Sequence, residues 1–406
     1  MEDLDKRSTI MIVFVAALGY FVDVYDLILF SVLRIPSLKD LGVQGDELLN
    51  SGVFLLNMQM AGLLSGGILW GIWGDKRGRV SVLFGSILLY SLANIANATV
   101  QTVEGYAIWR FIAGVGLAGE LGAGITLVSE VMSKEGRGLG TTLVAAIGVG
   151  GAVAAALVGN DFYWRTAYYI GGGLGLCLLV LRVSVYESGM FKAALGEDIQ
   201  RGNLVMLLSS KERAFKYLCC FLVGVPIWYV VGILITLSPE LGKALEMPEL
   251  PVVSNAVLYS YLGLVVGDLV SGLLSQLLRS RRKVLAIFVL LTMLSSVMFV
   301  DNHGASLSRF YLFCFLVGFP AGYWAVFVTT ASEQFGTNLR ATVTTTAPNF
   351  VRGAVLPITT LFQYLRSDFG VLNSALAVGA LCCSLALISV LGIQESFGKD
   401  LDYVEK

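Results

Sequence analysis

The sequence predicts an all-α membrane protein with twelve transmembrane helices in two pseudo-symmetric six-helix bundles. Three observations carry that expectation. Hydrophobic residues make up 56% of the 406-residue chain and charged residues only 14%, against roughly a half and a quarter in soluble domains, so polar side chains are too few to coat a soluble protein of this length. Apolar runs of about 20 residues, the length at which a helix crosses a hydrocarbon core, recur from end to end. Finally, Ser129-Glu130 with Arg137 and Ser332-Glu333 with Arg340 repeat one spacing 203 residues apart, half the chain. Repeats of that size build many membrane carriers, with a binding site between the halves near mid-membrane.

The apolar runs fall near 9–34, 50–73, 79–99, 104–132, 138–158 and 165–185, then 213–238, 254–278, 282–301, 307–333, 340–366 and 371–392. This gives an N-terminal bundle over 1–185, a charged linker over 186–212, and a C-terminal bundle over 213–406. The start, MEDLDKRSTIMIVF, reads as a short tail leading into a first span, because its apolar run is too long for a cleavable signal and holds two aspartates. With the N-terminus inside, 20 of the 28 Lys and Arg residues lie in the tails and inner loops, six lie outside, and Arg110 and Arg352 lie within the membrane. The positive-inside rule therefore puts both termini in the cytoplasm, of a bacterial inner membrane on this reading.

Several classes of function are excluded early. A net charge of -1 offers nothing to nucleic acid. The six cysteines sit in apolar runs without a CxxC pair, so they read as packing residues rather than a disulfide or metal framework. The glycine runs at 114–124 and 148–151 lack the strand-loop context of a nucleotide-binding fingerprint. No nucleophile–base constellation and no cofactor site emerges, so the protein is not expected to be an enzyme, and its energy source should be an ion gradient.

The in-membrane charges are the informative residues, because each costs several kcal/mol unless it meets a partner or water. Asp23 and Asp26 lie three apart in the first span and so share a helix face. Two carboxylates that close cannot both stay ionised without cost, which suits one of them to carry a proton. Glu120 in the fourth span and Asp268 in the eighth complete the acids. In the eleventh span Thr345, Asn349 and Arg352 follow at i, i+4 and i+7, one polar face, and the guanidinium of Arg352 offers a fork of donors matched to a carboxylate. A permanent ion pair of Arg352 with Asp23, Asp26 or Glu120 is the plainer alternative. Aromatic residues of the second half, among them Trp228, Tyr229, Tyr323 and Trp324, together with Tyr25 of the first, could wall a pocket for an organic ligand.

The loop Gly71-Ile-Trp-Gly-Asp75-Lys-Arg77-Gly78-Arg79 resembles the GxxxDxxGRx signature of the major facilitator superfamily, and Arg110 followed by Gly114 and Gly116 resembles its helix-4 motif. Within that superfamily, RFxxGxGxxGExG is similar to metabolite:proton symporters, and the DVYDL of helix 1 resembles the DGxDL of aromatic-acid:proton symporters, with Val24 in place of the glycine.

The resemblance implies alternating access, in which two bundles rock about a central cavity. Protons would bind among Asp23, Asp26 and Glu120, and a small organic anion would bind at Arg352 with help from Arg110, Asn349, Tyr25, Trp228 and Tyr323. Asp75, Arg79, Glu130, Arg137, Glu333 and Arg340 would latch the cytoplasmic side, with Glu130 paired to Arg137 and Glu333 to Arg340. A lipid bilayer and an anionic small molecule are the expected partners, the proton gradient is the expected drive, and a monomer is the expected state. A proton-coupled exporter, a sugar or polyol symporter, and a transport-dead receptor remain open at this point.

Overall fold

A computed structural model describes residues 6–77, 79–120, 137–187 and 204–398. Its described residues are helical nearly throughout. α1 (Lys6–Asp40), α2 (Glu47–Arg77), α3 (Arg79–Asn97), α4 (Val103–Leu117), α5 (Arg137–Asp161) and α6 (Trp164–Glu187) form the first bundle. A short α7 (Leu204–Leu208) leads into α8 (Lys211–Tyr229), which continues through a π-helical turn, Val230–Ile235, to α9 (Ser238–Ala244). Then come α10 (Val253–Leu277), α11 (Arg281–Val300), α12 (Leu307–Ala321), α13 (Trp324–Glu333), α14 (Thr337–Gly353) and α15 (Val355–Gly392).

Eight described stretches are long and apolar enough to cross a bilayer, and Ser81–Asn97 and Ile147–Asp161 are shorter apolar helices. Lipid explains their surface. Leu273, Leu277, Leu294, Ile388 and Leu391 stand more than half exposed, a pattern no water-facing helix would sustain. Gly370, at φ +74°, interrupts α15 and divides it into two crossings, as the gap between the runs ending at 366 and beginning at 371 leads one to expect. The run 307–333, expected as one span, is one apolar stretch long enough to cross, built from two helices, α12 and α13, that meet at Gly322-Tyr323.

The halves repeat each other in packing as well as in sequence. In the first bundle Gly62, Gly66 and Gly114 let α2 and α4 touch backbone to backbone, and in the second Gly263, Gly267 and Gly318 do the same for α10 and α12. A Cβ at any of these positions would meet the opposite main chain, which is why small residues mark such crossings in membranes. The halves meet where α2 packs on α14 and α5 on α10, leaving α1 and α8 to face the central space.

Candidate functional site

A cavity of about 40 Å³ lies between the halves, walled by Tyr20 and Val24 of α1, Trp228 of α8, Tyr261 of α10, Trp324 of α13 and Arg352 of α14, with further apolar side chains. Its position is set by helix geometry. Tyr20 and Val24 are four residues apart on one face of α1, and Trp324 opens α13 at the break in the tenth crossing. A volume of this size holds little more than water, whereas ligand pockets run from about 300 Å³, so an organic molecule would enter only after the helices move.

Arg352 is the charged group in this wall, and it is not free. Its Nη2 donates to Asp23 Oδ2 at 3.1 Å, with both side chains essentially inaccessible. The pair joins the two halves of the chain. It is also incompletely satisfied: Asp23 Oδ1 and Arg352 Nε and Nη1 have no hydrogen-bond partner. The Arg352 guanidinium also lies 5.9 Å from the centre of the Trp324 ring, so one planar cation faces both an acid and an aromatic wall.

The other charges sort into separate couples inside the first bundle rather than meeting in a single polar chamber. Glu120 is gripped by both Arg182 Nη atoms, with Nη1 3.1 Å from Oε2, and the pair is buried. It packs against Gly19, where a Cβ would run into both partners. Asp26 is buried with no hydrogen bond to either oxygen. Its carboxylate lies over Gly171 of α6, Oδ1 being 2.5 Å from where a Cβ would stand, and Arg110, Asp23 and Asn94 are the polar groups around it. Arg110, fully buried in α4, sits over Phe30 at 5.0 Å and donates to Tyr168 at 3.5 Å. Its Nε and Nη2 have no hydrogen-bond partner.

Several expected site residues are occupied elsewhere. Asn349 donates to the Ala118 carbonyl across the halves at 2.9 Å, Tyr25 donates to Ala167 O, and Tyr323 donates to Val223 O. Each spends its polar atom on a helix contact, and none of the three walls the cavity; of the expected aromatics, Trp228 and Trp324 do. Glu333 is held by Arg281 at 3.4 Å and by Ser396 at 2.6 Å, so Arg281 takes the place expected for Arg340. Glu333 closes α13 while Arg281 opens α11, and the fold brings those helix ends together. The side chains of Asp75, Arg79, Glu130 and Arg137 lie outside the described residues.

Sequence reasoning missed four functional candidates. Tyr20 and Tyr261 were legible: Tyr20 precedes Asp23 by three residues and Tyr261 precedes Asp268 by seven, so both lie on faces already marked by an acid. Arg182, near the end of the sixth apolar run, is buried against Glu120. Arg34 is fully buried at the bundle end distal to the start of α1, 2.7 Å from Glu240 and 3.2 Å from the Thr236 carbonyl. Thr236 also donates to Ser31 at 3.0 Å, so this distal end is laced shut between the halves. Asp268 has a definite duty as well. Its Oδ1 accepts the Ala325 N–H at 3.0 Å, capping the first turn of α13.

Comparison with known proteins fits this architecture. The sequence profile of the Major Facilitator Superfamily matches residues 10–359. The 3-(3-hydroxy-phenyl)propionate transporter of Escherichia coli (strain K12) is 28% identical over 303 residues, 72% of each chain. The cis,cis-muconate transport protein of Acinetobacter baylyi is 26% identical over 405 residues, 94% of this chain and 93% of that one. In fold, the chain superposes on a D-xylose-proton symporter with a TM-score of 0.70 at 15% identity, over 97% of this chain and 99% of the other.

Proposed function

The chain belongs to the Major Facilitator Superfamily, and from that premise we propose that it is a proton-coupled symporter of small aromatic or conjugated carboxylates, working by alternating access. The single observation that carries this reading is the Asp23–Arg352 pair set in an aromatic wall. A substrate carboxylate makes the same interaction with the guanidinium that Asp23 makes, and so competes with Asp23 for it. A planar ring then packs between Trp228, Trp324, Tyr20 and Tyr261, where aromatic contacts add to plain burial. The names of the relatives agree in kind, since hydroxyphenylpropionate is a carboxylate with an aromatic ring and muconate a conjugated dicarboxylate.

Coupling follows from the competition. Asp26, bound by no hydrogen bond, is the carboxylate open to exchange a proton, and Asp23 stands one helical turn away. Once Asp23 is protonated its attraction for Arg352 falls, and the arginine is released to the anion. Proton and substrate therefore load together. In this orientation both termini face the cytoplasm of a bacterial inner membrane, the distal end is external, and Arg34–Glu240 is the contact that must part for external opening.

Thermal unfolding of the purified protein tests the assignment. A ligand that prefers the folded state at about 100 times its Kd adds roughly 2.7 kcal/mol of apparent stability. Benzoate, nicotinate and cis,cis-muconate are expected to raise the melting temperature where xylose does not, and Arg352→Gln is expected to weaken apparent affinity at least about 100-fold by removing the partner of a buried charge. Stabilisation by these acids that survives Arg352→Gln unchanged would refute the site.

A further inference from the structure

We propose that Arg34 is an outer carboxylate-binding subsite, which grips a substrate anion entering from the distal side before it passes inward to Arg352. This rests on the reading of the protein as a carboxylate symporter whose distal end is external. Arg34 repeats the arrangement of Arg352 with the halves exchanged. Arg352 of the second half donates through Nη2 to Asp23 of the first at 3.1 Å, and Arg34 of the first donates through Nη2 to Glu240 of the second at 2.7 Å. Both arginines are buried, and in both Nε and Nη1 have no hydrogen-bond partner.

The two sites lie along one seam. Tyr20, Val24, Leu27, Ser31 and Arg34 follow at i, i+4, i+7, i+11 and i+14, a single face of α1. The first three wall the central cavity, so Arg34 stands on the same face about 10 Å beyond Leu27, at 1.5 Å per residue. The opposite side of the seam is built by the π-helical turn after α8. Val231 walls the cavity, and its carbonyl accepts the Thr236 N–H at 3.1 Å. That turn brings Thr236 to Ser31 at 3.0 Å, and the Thr236 carbonyl to Arg34 Nη2 at 3.2 Å. Parting the halves along this seam would join Arg34 to the cavity.

A fastener between the halves would not need this chemistry. The neutral Thr236–Ser31 contact already fastens them one turn inward, and a buried charge with unmet donors is a costly way to add to it. The surroundings instead keep room for the guanidinium. A Cβ at Gly52 of α2 would stand 2.6 Å from Arg34 Cδ and 2.9 Å from Nη1, so the absent side chain makes a cradle for the arginine. Glu240, by contrast, keeps 18% of its side chain exposed. The acid lies at the rim and can withdraw to water, leaving the guanidinium to a carboxylate of the same charge and geometry. An anion thus exchanges for Glu240 at the outer site as it exchanges for Asp23 at the inner one.

Binding and fastening predict opposite signs for one substitution. Uptake of labelled benzoate, nicotinate and cis,cis-muconate into right-side-out proteoliposomes, under a fixed inward proton gradient, gives the external KM. Arg34→Gln is expected to raise it at least about tenfold, as for a lost charge-assisted hydrogen bond. Glu240→Gln is expected to lower it roughly threefold, because the anion no longer has to win the guanidinium from an internal acid. If Arg34 only fastened the distal end, both substitutions would ease external opening, and both would lower KM or leave it unchanged. That result would overturn the subsite while leaving Arg352 as the carboxylate site. The double variant Arg34→Gln, Glu240→Gln strands no charge and decides the matter if Arg34→Gln does not fold: a raised KM supports the subsite, and a KM at or below wild type overturns it. Uptake of none of the three acids by the wild-type protein would overturn the carboxylate reading and the subsite with it.

Discussion

The helix that begins the fourth apolar run of each half ends at the same place, and the two ends have been put to different uses. α4 ends at Leu117 and turns at Ala118-Gly119 before Glu120; α12 ends at Ala321 and turns at Gly322-Tyr323 before α13. The sites correspond at the 203-residue offset that relates the repeats. In the first half the break presents Glu120, which grips Arg182 in a buried ion pair. In the second it presents Tyr323, which hydrogen-bonds the Val223 carbonyl, and Trp324, which walls the cavity. One backbone device thus serves charge in one bundle and aromatic surface in the other. A repeated fold fixes where a helix may open, and the side chain placed there decides the chemistry.

Substitutions at the two breaks should differ in size. Glu120→Ala leaves the Arg182 guanidinium buried without its partner, which costs about 3–5 kcal/mol, whereas Tyr323→Phe gives up one neutral hydrogen bond worth about 1 kcal/mol. Thermal unfolding of both variants in one detergent measures the contrast, and equal losses would break the comparison. The double variant Glu120→Leu, Arg182→Leu should recover most of the loss, because a buried pair replaced by apolar side chains is nearly neutral.

Asp268 sharpens the comparison at the next level. Its carboxylate caps α13 and so holds Trp324 in the cavity wall. Asp268→Ala is expected to lose about 1 kcal/mol, as for other helix caps, together with ligand-induced stabilisation. Asp268→Asn keeps an accepting oxygen and should retain both. If Asn and Ala variants lose ligand stabilisation alike, the residue acts through its charge and not as a cap.

The smallest effect is expected at the terminal end of the second bundle. Burial pushes the Glu395 carboxyl up, but donors from Ser280, Arg281, Phe397 and Arg282 hold it below its ordinary value. A carboxylate lowered on folding contributes stability at neutral pH and loses it as the pH falls through the folded-state value. The melting-temperature difference between wild type and Glu395→Gln should therefore be fully present above the ordinary value of 4.5 and shrink below it. A difference that is flat across that range would show that the hydrogen bonds of Glu395 carry no ionic contribution.

Much of this was legible from composition and spacing, and what was not has a common cause. Rules of depth apply residue by residue, whereas partnership depends on how helices cross. Asp23 and Arg352 could each be placed at mid-membrane, but their pairing spans 329 positions and both halves. Arg182 misled because a basic residue near the end of an apolar run ordinarily snorkels to the headgroups; the carboxylate of Glu120, brought beside it by α4, makes burial the better outcome. Asn349 lies on the polar face expected of it, yet the nearness of α4 turns it to the Ala118 carbonyl rather than to the cavity.

By itself the sequence determined the solvent of this protein, its repeated plan and the set of charges that hydrocarbon would not tolerate alone. Each of these follows from transfer free energies that a residue carries wherever the chain takes it. The tertiary structure alone decided which acid met which arginine, which aromatic rings faced the central space, and which carboxylate was left without a hydrogen bond. Those outcomes turn on distances of a few ångströms between helices remote in the chain, where one hydrogen bond made or missed outweighs any local preference.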